Sequence, residues 1–262
     1  MLPAESRRSW LVKIKWKSWI ALPTLLGALW FLTLIVCFAW SKSYAHVGPG
    51  FPYISDIGAH PPESCLFSLM CNMMTLLVGV IVYIRYRLVR FVCDRATFEE
   101  KPTTVKMSKI SVVAGFLAVA FLLIYSNFQK IYMPVAQAMG TLGAIICLLV
   151  YQWSDSVVSL HVYPAVGSKR MIPVRFGIAF LCSITFILAL TYSLMTYLNF
   201  GLIDWRHWSK YSSEYASHLV AAVAEWITSI LAVSYFISFA QEFKHLEFAE
   251  PPIGEKCISH CP

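Results

Sequence analysis

Charge is scarce in this chain. Only 13% of its 262 residues are Asp, Glu, Lys or Arg, about half the share of an average soluble domain. Catalytic signatures are lacking as well. There is no Gly-x-Ser-x-Gly elbow, no His-Glu-x-x-His pair and no phosphate loop ending in Gly-Lys-Ser/Thr. No Asn-x-Ser/Thr sequon occurs. Glycine and proline are few, 12 and 13, and they bunch between residues 48 and 64, so most of the chain is free of helix breakers.

Cysteine is present, but not as a disulfide framework. Cys37, Cys71, Cys147 and Cys182 lie inside apolar runs, and Cys93, Cys257 and Cys261 fall on the side read below as cytosolic. Cys65 alone lies near the opposite face, so no structural disulfide is expected. Cys257-Ile-Ser-His260-Cys261 offers three candidate metal ligands on a tail and reads as a disordered end. No metal and no cofactor is expected.

What the chain has instead is apolar length. It is 58% hydrophobic with a mean hydropathy of +0.63. Six runs, at about 19–40, 65–84, 110–128, 134–153, 174–198 and 215–240, each approach the roughly 20 residues that cross a bilayer. The first exceeds the core of a signal peptide and lacks a cleavage site. The spacing predicts an all-α, polytopic membrane protein with six transmembrane helices. A basic segment, 1–18, precedes the membrane domain of 19–243, and a tail, 244–262, follows it.

The net charge of +7 would suggest nucleic acid in a soluble protein. Here the bases sit at membrane edges, where topology and anionic lipid explain them, and no nucleic-acid partner is expected. With the N-terminus inside, the inner segments hold Arg7, Arg8, Lys13, Lys15, Lys17, Arg85, Arg87, Arg90, Arg95, Lys101, Lys106, Lys109, Lys169, Arg170, Arg175, Lys244 and Lys256. Only Lys42, Lys130, Arg206 and Lys210 fall outside. That bias predicts cytosolic N- and C-termini. The same bases, with Arg85, Arg87, Arg90, Lys13 and Lys15 foremost, are candidate contacts for anionic lipid, and Cys93 beside them is a candidate palmitoylation site. Tyr86-Arg-Leu-Val89 has the form of a sorting signal, but it abuts the second run.

The loop at 48–64 then faces the lumen or the cell exterior. Gly58 and the Pro61-Pro62 pair are expected to give it a fixed geometry, with Gly58 at positive φ. Asp56, His60 and Glu63 are read as caps for the loop's own backbone rather than as a hydrolytic site. Several polar residues fall in the same half of the membrane: Asn72, Asn127, Gln137, His218 and Glu225, with Gln129 at the edge. Glu225 lies ten residues past Tyr215, about 15 Å deep, where an acid needs a partner or water. It is expected to meet one of the amides. Two readings stay open for the set: an interhelical hydrogen-bond clasp, or a polar pocket that admits a lipid headgroup or sterol. Ala136, Gly140 and Ala144, four apart, allow close helix approach within the bundle or in a homodimer.

Phe51-Pro52-Tyr53-Ile54-Ser55-Asp56-Ile57-Gly58, then Pro61-Pro62-Glu63-Ser64, Cys65-Leu-Phe-Ser and Asn72, resembles the damage-regulated autophagy modulator (DRAM) family. That family includes the transmembrane protein 150 subgroup and, more remotely, yeast Sfk-type proteins and a factor that remodels GPI lipids. Asn127-Phe-Gln129, His218, Glu225-Trp226, Phe239 and Phe243 continue the resemblance in order. Cys65-Leu-Phe-Ser leans towards the transmembrane protein 150 subgroup, and Gly58-Ala59-His60 departs from the Gly-Thr of the autophagy modulators. The resemblance implies a non-enzymatic modulator of autophagy and endolysosomal traffic, or of phosphoinositide and lipid organisation. It implies a place in lysosomal, endosomal or plasma membranes, with membrane lipids, anionic phosphoinositides or a cytosolic protein as partners. The alternative it implies is a lipid-binding or lipid-remodelling protein. Oligomeric state is left open.

Overall fold

The structure is a computed structural model and describes residues 13–14, 19–48, 50–95, 100–200, 213–244 and 248–249. Six long apolar helices follow one another: α1 (Ala21–Ser43), α3 (Glu63–Arg95), α4 (Lys101–Asn127), α5 (Pro134–Val162), α6 (Met171–Phe200) and α7 (Ser213–Ile237). All six are long and apolar enough to cross a membrane. Two single-turn helices complete the set among the described residues, α2 (Ile54–Ile57) in the 48–64 loop and α8 (Ala240–Phe243) after α7. Prolines stand where a missing N–H costs least: Pro102 in the first turn of α4 and Pro134 at the start of α5.

The helices outrun their apolar runs. α3 has 33 residues, about 50 Å of helix against a hydrocarbon core of about 30 Å. An apolar run marks where lipid touches a helix, not where its backbone hydrogen bonds stop. The last turns of α3 and first turns of α4 therefore extend as a polar helical hairpin beyond the span. Arg87, Arg95, Lys106 and Lys109 are exposed on it.

Neighbours in sequence are neighbours in space, and α7 returns to α1. The contacts run α1–α3, α3–α4, α4–α5, α5–α6, α6–α7 and α7–α1. This is a closed ring of six helices. Outward residues such as Ile35, Leu76, Ile187 and Leu198 are apolar and exposed, as a lipid-facing belt should be. Helices α4 and α5 approach closely at Gly140, where an added Cβ would lie 2.6 Å from the Tyr125 backbone nitrogen. The small-residue stripe thus serves the bundle itself, and Ala144 beside it is buried. A two-residue antiparallel bridge, Lys13–Ile14 with Phe248–Ala249, joins the chain before α1 to the chain after α8. Both lie on the face opposite the 48–64 loop. We call the two faces the loop side and the tail side.

At the tail side an ion cluster crosses the ring. Arg85 (α3) donates Nε to Asp155 Oδ1 at 3.0 Å, Nη1 to Glu242 Oε2 at 2.6 Å and Nη2 to Ser159 Oγ at 2.8 Å. Arg175 (α6) donates to Glu242 Oε1 at 2.8 Å and to Ser159 and Ser238. Asp155 Oδ2 accepts from Tyr235 at 3.3 Å. The Phe239 ring packs against both guanidinium groups, its centre 5.3 and 4.4 Å from them. All four ionic side chains are buried, and their charges cancel in pairs.

This cluster corrects one expectation. Arg85 is not a lipid contact, because it is 2% exposed and committed to two acids. Cys93 is also corrected. It is fully buried against Val89, Val158 and Val162, so its thiol cannot be reached by an acyltransferase. Arg87 is exposed and Arg90 half-buried. The Lys13 side chain and all of Lys15 lie outside the described residues, as do Cys257 and Cys261. The six described cysteines are free thiols.

Candidate functional site: a cavity roofed by the loop

The roof is built by short-range bonds. Lys42, near the end of α1, donates Nζ to the carbonyls of Gly48 and Gly50 and turns the chain back over the bundle. Asp56 accepts the Tyr53 N–H at 3.4 Å and so ties down the start of α2. It also accepts Lys130 Nζ at 2.8 Å, and that ammonium lies 4.7 Å from the centre of the Tyr53 ring. Burial alone would favour the neutral amine of Lys130, but Asp56 outweighs it and holds the pKa above the ordinary lysine value. Burial pushes the Tyr53 phenol up. Glu63 is buried and bonds His46 Nδ1 at 2.5 Å, and the His46 ring stacks on His60. Both acids of the loop are thus engaged, Asp56 with Lys130 from the α4–α5 connection and Glu63 with His46.

Gly58 has φ −112°, an ordinary angle, which corrects the expected positive φ. Its requirement is space: an added Cβ would lie 2.5 Å from Cγ of the buried Phe67 ring. The Pro61–Pro62 peptide is cis.

Helix α7 then holds the roof down. Trp226 Nε1 donates to the Pro52 carbonyl at 3.0 Å, and His218 Nε2 to the Phe51 carbonyl at 3.1 Å. Tyr53 meets the His218 ring edge-on, and Ser193 on α6 reaches the Tyr53 hydroxyl at 3.5 Å. Glu225 lies against the backbone N–H groups of Ile54 and Ser55 in the first turn of α2. It meets the loop backbone and not an amide, which corrects the expected pairing with Asn72 or Gln137. Asn72 and Asn127 bond each other reciprocally, at 3.1 and 2.9 Å, and Ser126 joins them at 2.9 Å. They clasp α3 to α4. Gln137 is buried at the first turn of α5, and the Gln129 carbonyl caps the turn before it.

Beneath the roof runs a cavity of about 150 Å³. Every spanning helix contributes to its wall: Trp30, Met74, Leu122, Leu148, Cys182 and Phe236, in chain order. Ile54 of α2 and Glu225 also line it. Of the six residues expected to form a polar pocket, only Glu225 lines this cavity. The wall is otherwise almost wholly apolar, so the polar-pocket expectation is replaced by an apolar slot with one acid.

Residues 18–246 match the family described as the Frag1/DRAM/Sfk1/Cwh43P N-terminal domain. The chain belongs to that family. It is similar to DNA damage-regulated autophagy modulator protein 2 of Rattus norvegicus, 29% identical over 228 residues, 86% of this chain and 84% of the relative. It is similar to DNA damage-regulated autophagy modulator protein 1 of Homo sapiens, 29% identical over 211 residues, 80% and 84% of the two chains. The Modulator of macroautophagy TMEM150B of Danio rerio is 28% identical over 233 residues, 88% of each. No solved structure matches the chain.

The features that resembled the family take on roles here. In this Frag1/DRAM/Sfk1 chain, His218, Glu225 and Trp226 fasten the signature loop, and Phe239 packs against both arginines of the ion cluster. Sequence reasoning missed Asp155 and Glu242 altogether and read Arg175 only as a flanking base. A signal was present: Asp155 sits in the tail-side end of a spanning helix, where a lone acid needs a counter-charge.

Proposed function

We propose that this chain is an integral membrane modulator of autophagy that acts without catalysis of its own. The observation that carries this reading is the correspondence, over more than four-fifths of both chains, with proteins named as autophagy modulators. In this reading the tail side is cytosolic, following the basic-residue bias, and the membrane is lysosomal, endosomal or plasma membrane. The basic hairpin formed by the ends of α3 and α4 engages phosphoinositide headgroups or a cytosolic protein. Its exposed bases support this, since each one near an anionic leaflet contributes about 1 kcal/mol.

Two measurements test the reading. In a Cys65→Ser, Cys257→Ser, Cys261→Ser background, a cysteine at exposed Tyr132 on the loop side should label with an impermeant thiol reagent without access to the cytosol. A cysteine at exposed Thr103 should label only after permeabilisation. The reverse pattern would place the signature loop in the cytosol. In cells deleted for the gene, the wild-type chain should restore autophagic flux. The triple variant Arg87→Glu, Lys106→Glu, Lys109→Glu should reach the same abundance and restore less than a third of it. Full rescue by that variant would remove the basic hairpin from the mechanism.

A further inference from the structure

The cavity is long, narrow and chemically lopsided. Along α7 its lining runs from Glu225 to Phe236, eleven residues or about 16 Å of rise. On α3 it runs from Cys71 to Val78, about 10 Å. Drawn out over such a length, the cavity suits an elongated apolar body and not a compact one. The long axis follows the helices, parallel to lipid chains in the surrounding leaflet.

Two residues of this lining carry a buried polar atom without a hydrogen-bond partner: Glu225 Oε2 and Trp30 Nε1. They sit at different depths. Phe38 packs edge-on against Trp226, so Phe38 marks the level of Glu225, and Trp30 is eight residues, about 12 Å, further down α1. One water cannot satisfy both, and an apolar slot offers a water too few partners. Unpaired polar atoms of this kind are rare in folded proteins and call for an explanation.

We propose that the cavity binds a single linear alkyl chain bearing an uncharged hydroxyl, with the hydroxyl on Glu225 Oε2 beneath α2. The chain fills the apolar slot towards Phe236 and Trp30. A hydroxyl suits the carboxyl in either protonation state, because it can donate to a carboxylate or accept from a carboxylic acid. An ammonium head would have to be desolvated against an almost wholly apolar wall, which costs far more than burying an alcohol. It would also meet Lys130, whose charge is already felt at Glu225. A free fatty alcohol and a monoacylglycerol share this chemistry. The inference stands apart from the reading of the basic hairpin, since it concerns the other half of the bundle.

The test uses the full chain in nanodiscs and a photoactivatable, clickable C16 alcohol. Capture should map to peptides of α3 or α7 and be competed by hexadecanol or 1-monohexadecanoylglycerol. Whichever competes at the lower concentration names the source. Hexadecane, hexadecylamine and cholesterol should compete at least tenfold less well. Glu225→Leu should weaken capture about five- to tenfold, the loss of one buried hydrogen bond, while Glu225→Gln stays within about twofold. Ala232→Phe, which fills the slot from α7, should abolish it. The proposal falls if hexadecane, the amine or cholesterol competes as well as the alcohol on the wild-type chain, a result that needs no variant to fold. It falls equally if a folded Ala232→Phe protein is captured like wild type.

Discussion

Arg85→Leu is expected to leave little folded protein. The guanidinium makes three bonds to Asp155, Glu242 and Ser159, and it is 2% exposed. Leucine fills similar space but leaves Asp155 and one oxygen of Glu242 buried without their cation. Breaking a buried ion pair from one side costs about 3–5 kcal/mol, a large part of the roughly 5–15 kcal/mol that holds a typical domain folded. Arg85→Lys should rescue little, because a compact ammonium lacks the planar fork whose three nitrogens reach Asp155, Ser159 and Glu242 separately. Arg87→Leu, two residues on and exposed, serves as the control and should stay within about 0.5 kcal/mol. The measurement is the monodisperse fraction after detergent extraction and its melting temperature. A wild-type melting curve for Arg85→Leu would mean that the cluster holds nothing together.

Gly58→Val is expected to be the most damaging change in the signature loop, for a reason of space and not of backbone angle. An added Cβ would lie 2.5–2.9 Å from three atoms of the Phe67 ring. That ring is buried and packs edge-on against Tyr125, so it has little room to retreat. Even Gly58→Ala should lose about 1–3 kcal/mol, and valine more. The cause can be isolated with a double-mutant cycle. Phe67→Leu removes the ring, so Gly58→Ala in that background should cost at least 1 kcal/mol less than it does alone. Additive melting shifts for the two changes would show that the Phe67 ring is not the obstacle.

The parts of this fold legible from residue order are those that depend on lipid. Six stretches match the thickness of a bilayer, and α5 starts at the proline expected to start it. The parts that were not legible depend on partners far apart in the chain. Arg85 and Glu242 are 157 residues apart, and no local pattern joins them. Counted along the sequence, Arg85 and Arg175 look like ordinary flanking bases; only the closure of the ring turns them inward. Cys93 misled in the same way, because a polar helical extension looks like an exposed loop when its apolar run has ended. The loop is an intermediate case. Its glycines and prolines announced a shaped turn, but the residue that needs Gly58 is Phe67, nine positions on in the next helix. Glu225 was recognisable as an acid out of place, while its neighbours, the first N–H groups of α2, carry no side-chain signature at all.

The position of Glu242 has a consequence for how the chain is made. A ribosome delivers Arg85, then Asp155, then Arg175, and reaches Glu242 only after all six long helices have been synthesised. Until then the two arginines share one acid, and the half-assembled bundle carries an excess positive charge at its tail side. The turn at Ala240–Phe243 therefore supplies the acid that balances the cluster. A nascent chain cut short before residue 242 would present that uncompensated charge to whatever surveys newly inserted membrane proteins, whereas one ending soon after it would already be neutral there.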